Sequence, residues 1–159
     1  MIDVNNALDG DGAFSPERSE TLPAGQLVKL CFSGQYTEAQ IRRMLCGSGG
    51  LVSLAGSNSV QELLERAKQG DRACERIIYA MAYNVAKEIG AMAAVLGGRV
   101  DAILITGGIA YSGTVCDAIR ERVSFIAPVE VIPGEDEMGA LAENALRVLR
   151  GEEMPKKYE

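Results

Sequence analysis

The chain contains no histidine and no tryptophan, and aromatic residues make up only 5% of its 159 positions. The absence of histidine excludes, within this chain, Ser-His-Asp triads, histidine general bases and histidine-ligated metal sites. Positive charge is also in deficit, since 16 lysines and arginines stand against 22 aspartates and glutamates and give a net charge of −6. With no basic run in the sequence, nucleic acid and anionic membrane surfaces are not expected as partners.

Long hydrophobic runs are lacking too, although 47% of the residues are hydrophobic. The most apolar region, residues 77–105, is interrupted by four charged residues, among them Lys87 and Asp101, so no membrane span is expected. The N-terminus is polar and acidic and does not resemble a signal peptide. We therefore expect a cytoplasmic globular protein, long enough for one domain with a sizeable core.

The four cysteines do not have the spacing of a metal site. Cys31, Cys46, Cys74 and Cys116 are far apart, and none belongs to a C-x-x-C pair. Their apolar surroundings predict that they pack as small hydrophobic residues.

The most informative segment is VDAILITGGIAYS, residues 100–112. Its apolar run over residues 102–105 predicts a strand buried on both faces, after which Gly107 and Gly108 follow almost at once. In α/β folds a strand that opens through such a turn into a helix is a usual ligand site, because the backbone approaches closely and free N–H groups face an anion or a sugar hydroxyl. Paired glycines also serve tight packing alone, so both interpretations stay open.

Capping residues and periodicity predict helices that alternate with strands. The predicted helices begin at Pro23, Thr37, Ser59, Asp71 and Thr114, and a last one follows the acidic turn 133–137. The predicted strands are a short one near the N-terminus, then residues 51–54, 102–105 and 129–132. The longest helix carries a stripe of small residues that includes Ala82 and Ala86, and close packing is expected to offset the cost of Gly90 beside it. This alternation indicates a layered α/β fold.

Three segments take the interpretation beyond a generic α/β fold. They are IDVNNALDGDGAFSPERSE at 2–20, ILITGGIAYS at 103–112 and VIPGEDEMGALAENALRVLRGEE at 131–153. In this order and spacing they closely resemble the C-terminal part of the butyrate kinases, short-chain carboxylate kinases of the acetate kinase family. The first segment is the specific one, whereas the Gly-Gly-Ile turn is shared with acetate kinases.

The resemblance implies the C-terminal domain of the actin-like ATPase superfold, shared by acetate kinase, sugar kinases, Hsp70 and actin, with a ribonuclease H-like central sheet and packed helices. It implies three parts: a substrate- and hinge-side strand and loop (1–24), a nucleotide-binding and dimerisation domain (25–151) and a flexible tail (152–159). Family members are considerably longer, and their N-terminal half carries a first phosphate loop with no counterpart here. We therefore expect a part of the enzyme that is inactive alone.

The reaction implied by the resemblance is phosphoryl transfer between ATP and butyrate, or a branched short-chain fatty acid, to give an acyl phosphate and ADP with Mg²⁺. Arg18 matches the family's catalytic arginine, which bridges carboxylate and phosphoryl oxygens. The alternative is a loop arginine that caps a carbonyl or pairs with Glu17. The implied partners are the carboxylate, an N-terminal half of the same enzyme and a second copy in a homodimer. The alternative function is a non-catalytic fragment that binds adenine nucleotide or only dimerises.

The resemblance also implies which residues hold the nucleotide. Gly107, Gly108 and Ile109 match an adenosine-binding turn, in which the isoleucine packs on the adenine or ribose. Tyr111 and Ser112 stand where acetate kinases have polar residues.

A second nucleotide-side loop is matched by Gly56, Ser57 and Asn58. Ser59, which follows them, is interpreted either as a weak ribose ligand or, preferentially, as the N-cap of the next helix.

The acidic turn before the last helix matches a family position with a carboxylate near Mg²⁺. Asp136 and Glu137 are the candidate metal ligands, since one or two carboxylates suffice for this ion. The alternative is that they only favour the helix dipole. Four polar residues of the N-terminal loop either line the acyl-substrate side or build turns: Asn5, Asn6, Asp9 and Asp11.

Overall fold

In the computed structural model, the described residues are 2–134 and 136–155, except for the side chain of Glu137. Within them the chain forms seven α-helices, two β-strands and two short 3-10 helices. The α-helices are α1 (Ala24–Cys31), α2 (Glu38–Leu45), α3 (Gly50–Ala55), α4 (Val60–Lys68), α5 (Arg72–Val95), α6 (Gly113–Val123) and α7 (Glu137–Leu149). The strands are β1 (Ile103–Gly107) and β2 (Val129–Pro133), and the 3-10 helices are Ala7–Asp9 and Gly108–Tyr111.

The two strands and α6 form a β-α-β unit. The strands pair in parallel, with Ile103 opposite Val129 and Gly107 opposite Pro133. The core lies where α5 packs against α4 and α6, and its largest fully buried side chains are Leu51, Leu63, Ile78, Met81, Ile119, Val115, Val123 and Cys74. Apolar burial of this kind is the main stabilising contribution to the fold. None of the helices in the described ranges is long and apolar enough to cross a membrane.

The prediction that the first strand is buried on both faces is wrong. Ile103 is buried in the core, but the side chain of Leu104 is 61% exposed, and Thr106 is exposed too. Ile132 in β2 is likewise 56% exposed. An apolar run indicates that a strand is to be covered, but it does not indicate which part of a protein covers it. No element of the described residues lies over this face of the sheet.

The predicted helix starts at Thr37, Ser59 and Asp71 are confirmed by their caps, and α6 begins one residue before the predicted Thr114. Thr37 forms a capping box with Gln40, and Ser59 accepts a hydrogen bond from the backbone N–H of Glu62. Asp71 accepts from two N–H groups at the start of α5, and Ser112 accepts from Val115 at the start of α6. Polar side chains at these positions satisfy N–H groups that have no partner within the helix, which is why the local sequence predicts them well.

Two short strands that the sequence predicts are not formed. Residues 51–54 lie in α3, because four residues of which three are apolar do not distinguish a strand from one buried helical turn. Near the N-terminus the chain forms the 3-10 helix instead. There the backbone N–H of Asn6 donates to Asp11 Oδ2 at 3.1 Å, and the side-chain Nδ2 of Asn6 donates to Asp9 Oδ2 at 2.7 Å. Such local side-chain bonds compete with sheet formation.

Two packing predictions are also corrected by the structure. Ala82 and Ala86 are buried, but a Cβ built on Gly90 would have nothing within 4 Å, so no described neighbour offsets the cost of that glycine. Cys74 and Cys116 are buried as expected, whereas Cys31 is exposed. Helix α1 buries none of its residues, and Cys31 therefore has no core to enter.

Candidate functional site

A cleft of about 980 Å³ opens where segments that are distant in sequence meet. Its walls are the loop before Ser19, the start and one face of α4, the turn after β1 and the start of α6. The predicted site residues that line it are Arg18, Asn58, Gly108, Ile109 and Ser112. Four others are not among its lining residues: Gly56, Ser57, Gly107 and Asp136.

Gly107 and Gly108 have different roles in the turn after β1. Gly107 has a φ of +81°, and its N–H and C=O exchange hydrogen bonds with Gly134 at 3.2 and 3.3 Å. Its backbone groups therefore close the end of the sheet rather than face a ligand. A Cβ on Gly108 would have no atom within 4 Å, so this glycine leaves open space on the cleft side of the turn.

The buried thiol of Cys116 packs against this turn. Cys116 Sγ lies 3.7 Å from the carbonyl oxygen of Ala110 and 4.0 Å from that of Ile109. Burial raises the pKa of the Cys116 thiol, with a smaller opposing effect of Arg120. The thiol is therefore neutral and acts as a packing group rather than as a nucleophile.

Arg18 lines another part of the cleft, in a loop that contains hydrogen bonds between Ser15 and Arg18. The N–H of Ser15 donates to the Arg18 carbonyl at 3.0 Å, and Ser15 Oγ accepts from the Arg18 N–H and Nε at 3.2 and 3.3 Å. Among the described residues Arg18 forms no ion pair with Glu17, the partner that the alternative interpretation offered. Nothing in the described part of the chain bonds to the terminal guanidinium nitrogens, which remain available to an anion in the cleft.

This loop is held by the glycine run at 47–50, a role that was not predicted from the sequence. A Cβ on Gly49 would lie 2.6 Å from the backbone nitrogen of Ser19, and a Cβ on Gly50 would collide with the carbonyl oxygen of Ser15. This close approach lets the N–H of Leu51 donate to the same carbonyl at 3.2 Å. Helix α3 is thereby fixed beneath the Arg18 loop. The available signal was the Gly-Ser-Gly-Gly run itself.

The loop between α3 and α4 presents one side chain to the cleft. Ser57 Oγ donates to Glu62 Oε2 at 2.6 Å, and Ser59 Oγ accepts from the Glu62 N–H at 3.2 Å, so both serines organise the start of α4. The preferred interpretation of Ser59 as an N-cap is confirmed. Asn58 instead donates from Nδ2 to Glu17 Oε1 at 2.7 Å and lines the cleft.

One face of α4 forms the remaining wall, which was not predicted from the sequence. Its lining residues are Gln61, Leu64, Glu65 and Lys68. This i, i+3, i+4, i+7 spacing places them on one side of a helix, which is the signal that was available. Lys68 Nζ lies 2.7 Å from Glu65 Oε1, so the face carries an exposed ion pair beside the cleft.

The acidic turn provides the N-cap of α7. Asp136 Oδ1 accepts a hydrogen bond from the Gly139 N–H at 2.9 Å and so caps α7. Glu135 and the Glu137 side chain lie outside the described residues. Within the described part of the chain, no group of three or more acidic or cysteine side chains is arranged to hold a metal ion.

The polar residues of the N-terminal loop lie elsewhere. Asn5 and Asp11 line a separate, mostly apolar groove of about 430 Å³ against the second half of α5. Asn5 Nδ2 donates to Glu88 Oε2 at 3.1 Å there. The 980 Å³ cleft, which is lined by both Arg18 and Gly108, is therefore the candidate site.

The similarity to known sequences extends over almost the whole chain. Butyrate kinase 2 of Clostridium acetobutylicum is 56% identical over 158 residues, which are 99% of this chain and 44% of that protein. A probable butyrate kinase of Clostridium botulinum (strain Alaska E43) is 53% identical over 158 residues, with the same coverage of 99% and 44%. The chain thus spans less than half the length of these curated relatives.

Solved structures show the shared fold. The acetate kinase of Porphyromonas gingivalis superimposes with a TM-score of 0.78 at 21% identity, over 87% of this chain and 41% of that one. A propionate kinase of Francisella tularensis gives a TM-score of 0.68 at 20% identity, over 82% and 39%. The predicted actin-like α/β fold is therefore confirmed. Residues 15–132 match the acetokinase family over well more than half of the chain, and the chain belongs to that family.

Proposed function

We propose that this chain is the nucleotide-binding part of a carboxylate kinase that transfers phosphoryl between ATP and butyrate, or a branched short-chain fatty acid. The products in the forward direction are an acyl phosphate and ADP. The observation that carries the proposal is the cleft, which is lined both by Arg18 and by Gly108 and Ile109, about 90 positions away in the sequence. The similarity to butyrate kinases supports the substrate class.

The nucleoside fits the turn side of the cleft. Gly108 leaves room for a ring to approach the backbone, and Ile109 offers it an apolar surface. The start of α6, at Gly113 and Thr114, lines the same cleft and supplies N–H groups at the positive end of an 11-residue helix. That end favours the phosphate chain of the nucleotide.

Arg18 carries the charge chemistry in this proposal. A carboxylate oxygen attacks the terminal phosphorus of ATP, the bond to the leaving ADP oxygen breaks, and negative charge spreads over the phosphoryl oxygens. A guanidinium donates two parallel hydrogen bonds to such oxygens and stabilises that charge at a fixed position. The Ser15 hydroxyl on Arg18 Nε orients the guanidinium without occupying its terminal nitrogens.

The proposal includes a magnesium ion that accompanies the phosphates of the nucleotide. Asp136 lies outside the cleft lining and its Oδ1 caps α7, so only its Oδ2, which accepts no hydrogen bond within the described ranges, would be left to reach the ion. Mg²⁺ keeps several waters and needs only one or two carboxylates from a protein. When bound, the ion neutralises phosphate charge.

We also propose that an N-terminal half and a second copy of the chain complete a cytoplasmic enzyme. The uncovered sheet face, with Leu104 61% and Ile132 56% exposed, is suited to contact with a further part of the protein. Helix α7 adds Met138 and Leu149, which are 78% and 82% exposed. These surfaces support association.

The test is phosphoryl transfer from ATP to butyrate, measured as acyl phosphate trapped with hydroxylamine. The chain is assayed alone and after mixing with the N-terminal portion of the Clostridium acetobutylicum relative. We expect activity only in the mixture, a loss of at least 100-fold with Arg18→Ala, and little change with Arg76→Ala, an exposed arginine on α5. Full activity of the Arg18→Ala mixture contradicts the proposed role. A mixture that binds nucleotide but transfers nothing supports the non-catalytic alternative.

A further inference from the structure

Two loops at the rim of the cleft are joined by one hydrogen bond between side chains 41 positions apart. Asn58 Nδ2 donates to Glu17 Oε1 at 2.7 Å. Glu17 directly precedes Arg18, and Asn58 itself lines the cleft. The bond therefore links the loop of the arginine to the loop on the nucleotide side.

The chemistry of the pair determines which end of the amide is left over. An ionised carboxylate only accepts hydrogen bonds, whereas an asparagine amide has a donating NH₂ end and an accepting oxygen end. Glu17 therefore draws the NH₂ group of Asn58 toward itself. The Asn58 Oδ1 remains as an acceptor, and no described residue donates to it.

We propose that Glu17 is a positioning residue that orients Asn58 so that Oδ1 accepts a hydrogen bond from the nucleoside of a bound adenine nucleotide. This inference rests on the proposed function of the cleft. A ribose hydroxyl and the exocyclic amine of adenine are the two nucleoside donors that meet the requirement. The ionised diphosphate chain offers no such donor, so Asn58 discriminates nucleoside from phosphate.

The side chain of Glu17 can be changed without releasing its loop. The Glu17 carbonyl oxygen accepts from the N–H groups of Gly47 and Gly49 at 2.8 and 3.1 Å. The carbonyl oxygens of Ser15 and Pro16 accept from the first turn of α3 at 3.2 and 3.1 Å. Because backbone groups hold the loop and the Glu17 side chain is exposed, a substitution there tests orientation rather than folding.

The first experiment measures the hydrogen bond in the free protein by NMR. In Glu17→Ala the side-chain amide signals of Asn58 are expected to shift, whereas Glu17→Gln retains an accepting oxygen and keeps them near their original position. Glu20→Ala, an exposed glutamate in the same segment, is the control and leaves them unchanged. Unchanged Asn58 signals in Glu17→Ala overturn the inference whether or not the chain binds nucleotide.

The second experiment is calorimetric titration of the same variants with Mg-ADP and with magnesium pyrophosphate. Glu17→Ala is expected to weaken ADP binding about fivefold, as for loss of one hydrogen bond, and to leave pyrophosphate binding unchanged. Glu17→Gln stays within about twofold of the parent chain. Equal losses for both ligands, or no loss for ADP, overturn the inference alone. Absence of ADP binding by the folded parent chain overturns the proposed function and the inference with it.

Analogues distinguish the two nucleoside donors. If a ribose hydroxyl donates to Asn58, 2′-deoxy- or 3′-deoxy-ADP binds the parent chain and Glu17→Ala equally weakly. If the exocyclic amine donates, inosine diphosphate, which lacks that amine, shows this behaviour instead. Retention of the full Glu17→Ala effect with all three analogues overturns the inference, because no nucleoside donor is then involved.

Discussion

The hydroxyl of Tyr111 lies 2.9 Å from the position that a Cβ atom on Gly134 would occupy. Gly134 follows β2 and has a φ of +97°, and Tyr111 ends the 3-10 turn that follows β1. The tyrosine therefore reaches across the carboxyl ends of both strands, above the mutual hydrogen bonds of Gly107 and Gly134. Tyr111 is 73% exposed and lines the cleft, so the missing side chain at Gly134 shapes the candidate site.

Replacing Gly134 with alanine should displace Tyr111, and Gly151→Ala is the matched control. Both glycines have positive φ, so each substitution costs about 1 kcal/mol or more in backbone strain. Only the Cβ at position 134 meets another group, since nothing lies within 4 Å of the one at 151. We expect the Tyr111 ring signals in NMR spectra to shift in Gly134→Ala alone. The same spectrum in both variants contradicts the contact.

The two leucines of α3 should differ sharply in their contribution to stability. Leu51 is fully buried beneath the Arg18 loop, whereas Leu54 is 56% exposed. Leu51→Ala leaves a cavity and is expected to lower the free energy of unfolding by about 2–5 kcal/mol, and Leu54→Ala by about 0.5 kcal/mol or less. Urea unfolding measures both. Similar losses would argue against the helix and for a different packing of this segment.

Asp71 should make the stability of the chain depend on pH in acid. The Cys74 N–H, then the Cys74 thiol and the Arg66 guanidinium, lower the pKa of Asp71 from 3.8 to about 2. Because the folded-state pKa is the lower one, its contribution is complete above about pH 4 and is lost as pH falls through about 2.

The measurement is urea unfolding of the parent chain and of Asp71→Asn, which keeps the N-cap but not the charge. We expect the parent chain to be the more stable of the two at pH 5 and the difference to shrink steadily between about pH 4 and 2. A difference that does not change across this range would show that the carboxylate charge contributes nothing.

Local chemistry explains what the sequence predicted well. Helix starts at Thr37, Ser59 and Asp71 depend on one side chain and the next few N–H groups, so a short stretch of sequence is enough to predict them. The turn after β1 could be predicted for the same reason, since paired glycines after an apolar run are a local pattern.

What the sequence could not predict depends on contacts between distant segments. Residues 51–54 form part of α3 and not the predicted strand, next to a close contact between Gly50 and Ser15. No residue within 51–54 indicates that contact. The bond between Glu17 and Asn58 likewise joins two loops whose approach only the fold creates. The exposure of Leu104 depends on what covers the sheet, which a strand's own residues do not reveal.

The central claim, that the turn after β1 holds the nucleotide, is tested most directly by calorimetric titration of Gly108→Val with Mg-ADP. A Cβ at Gly108 would enter open space on the cleft wall, with no described atom within 4 Å, so the variant should fold. Gly25→Val on α1, where a Cβ also meets nothing within 4 Å, is the control away from the cleft. We predict that Gly108→Val abolishes binding and that Gly25→Val binds like the parent chain. Unchanged affinity in a folded Gly108→Val variant would contradict the account.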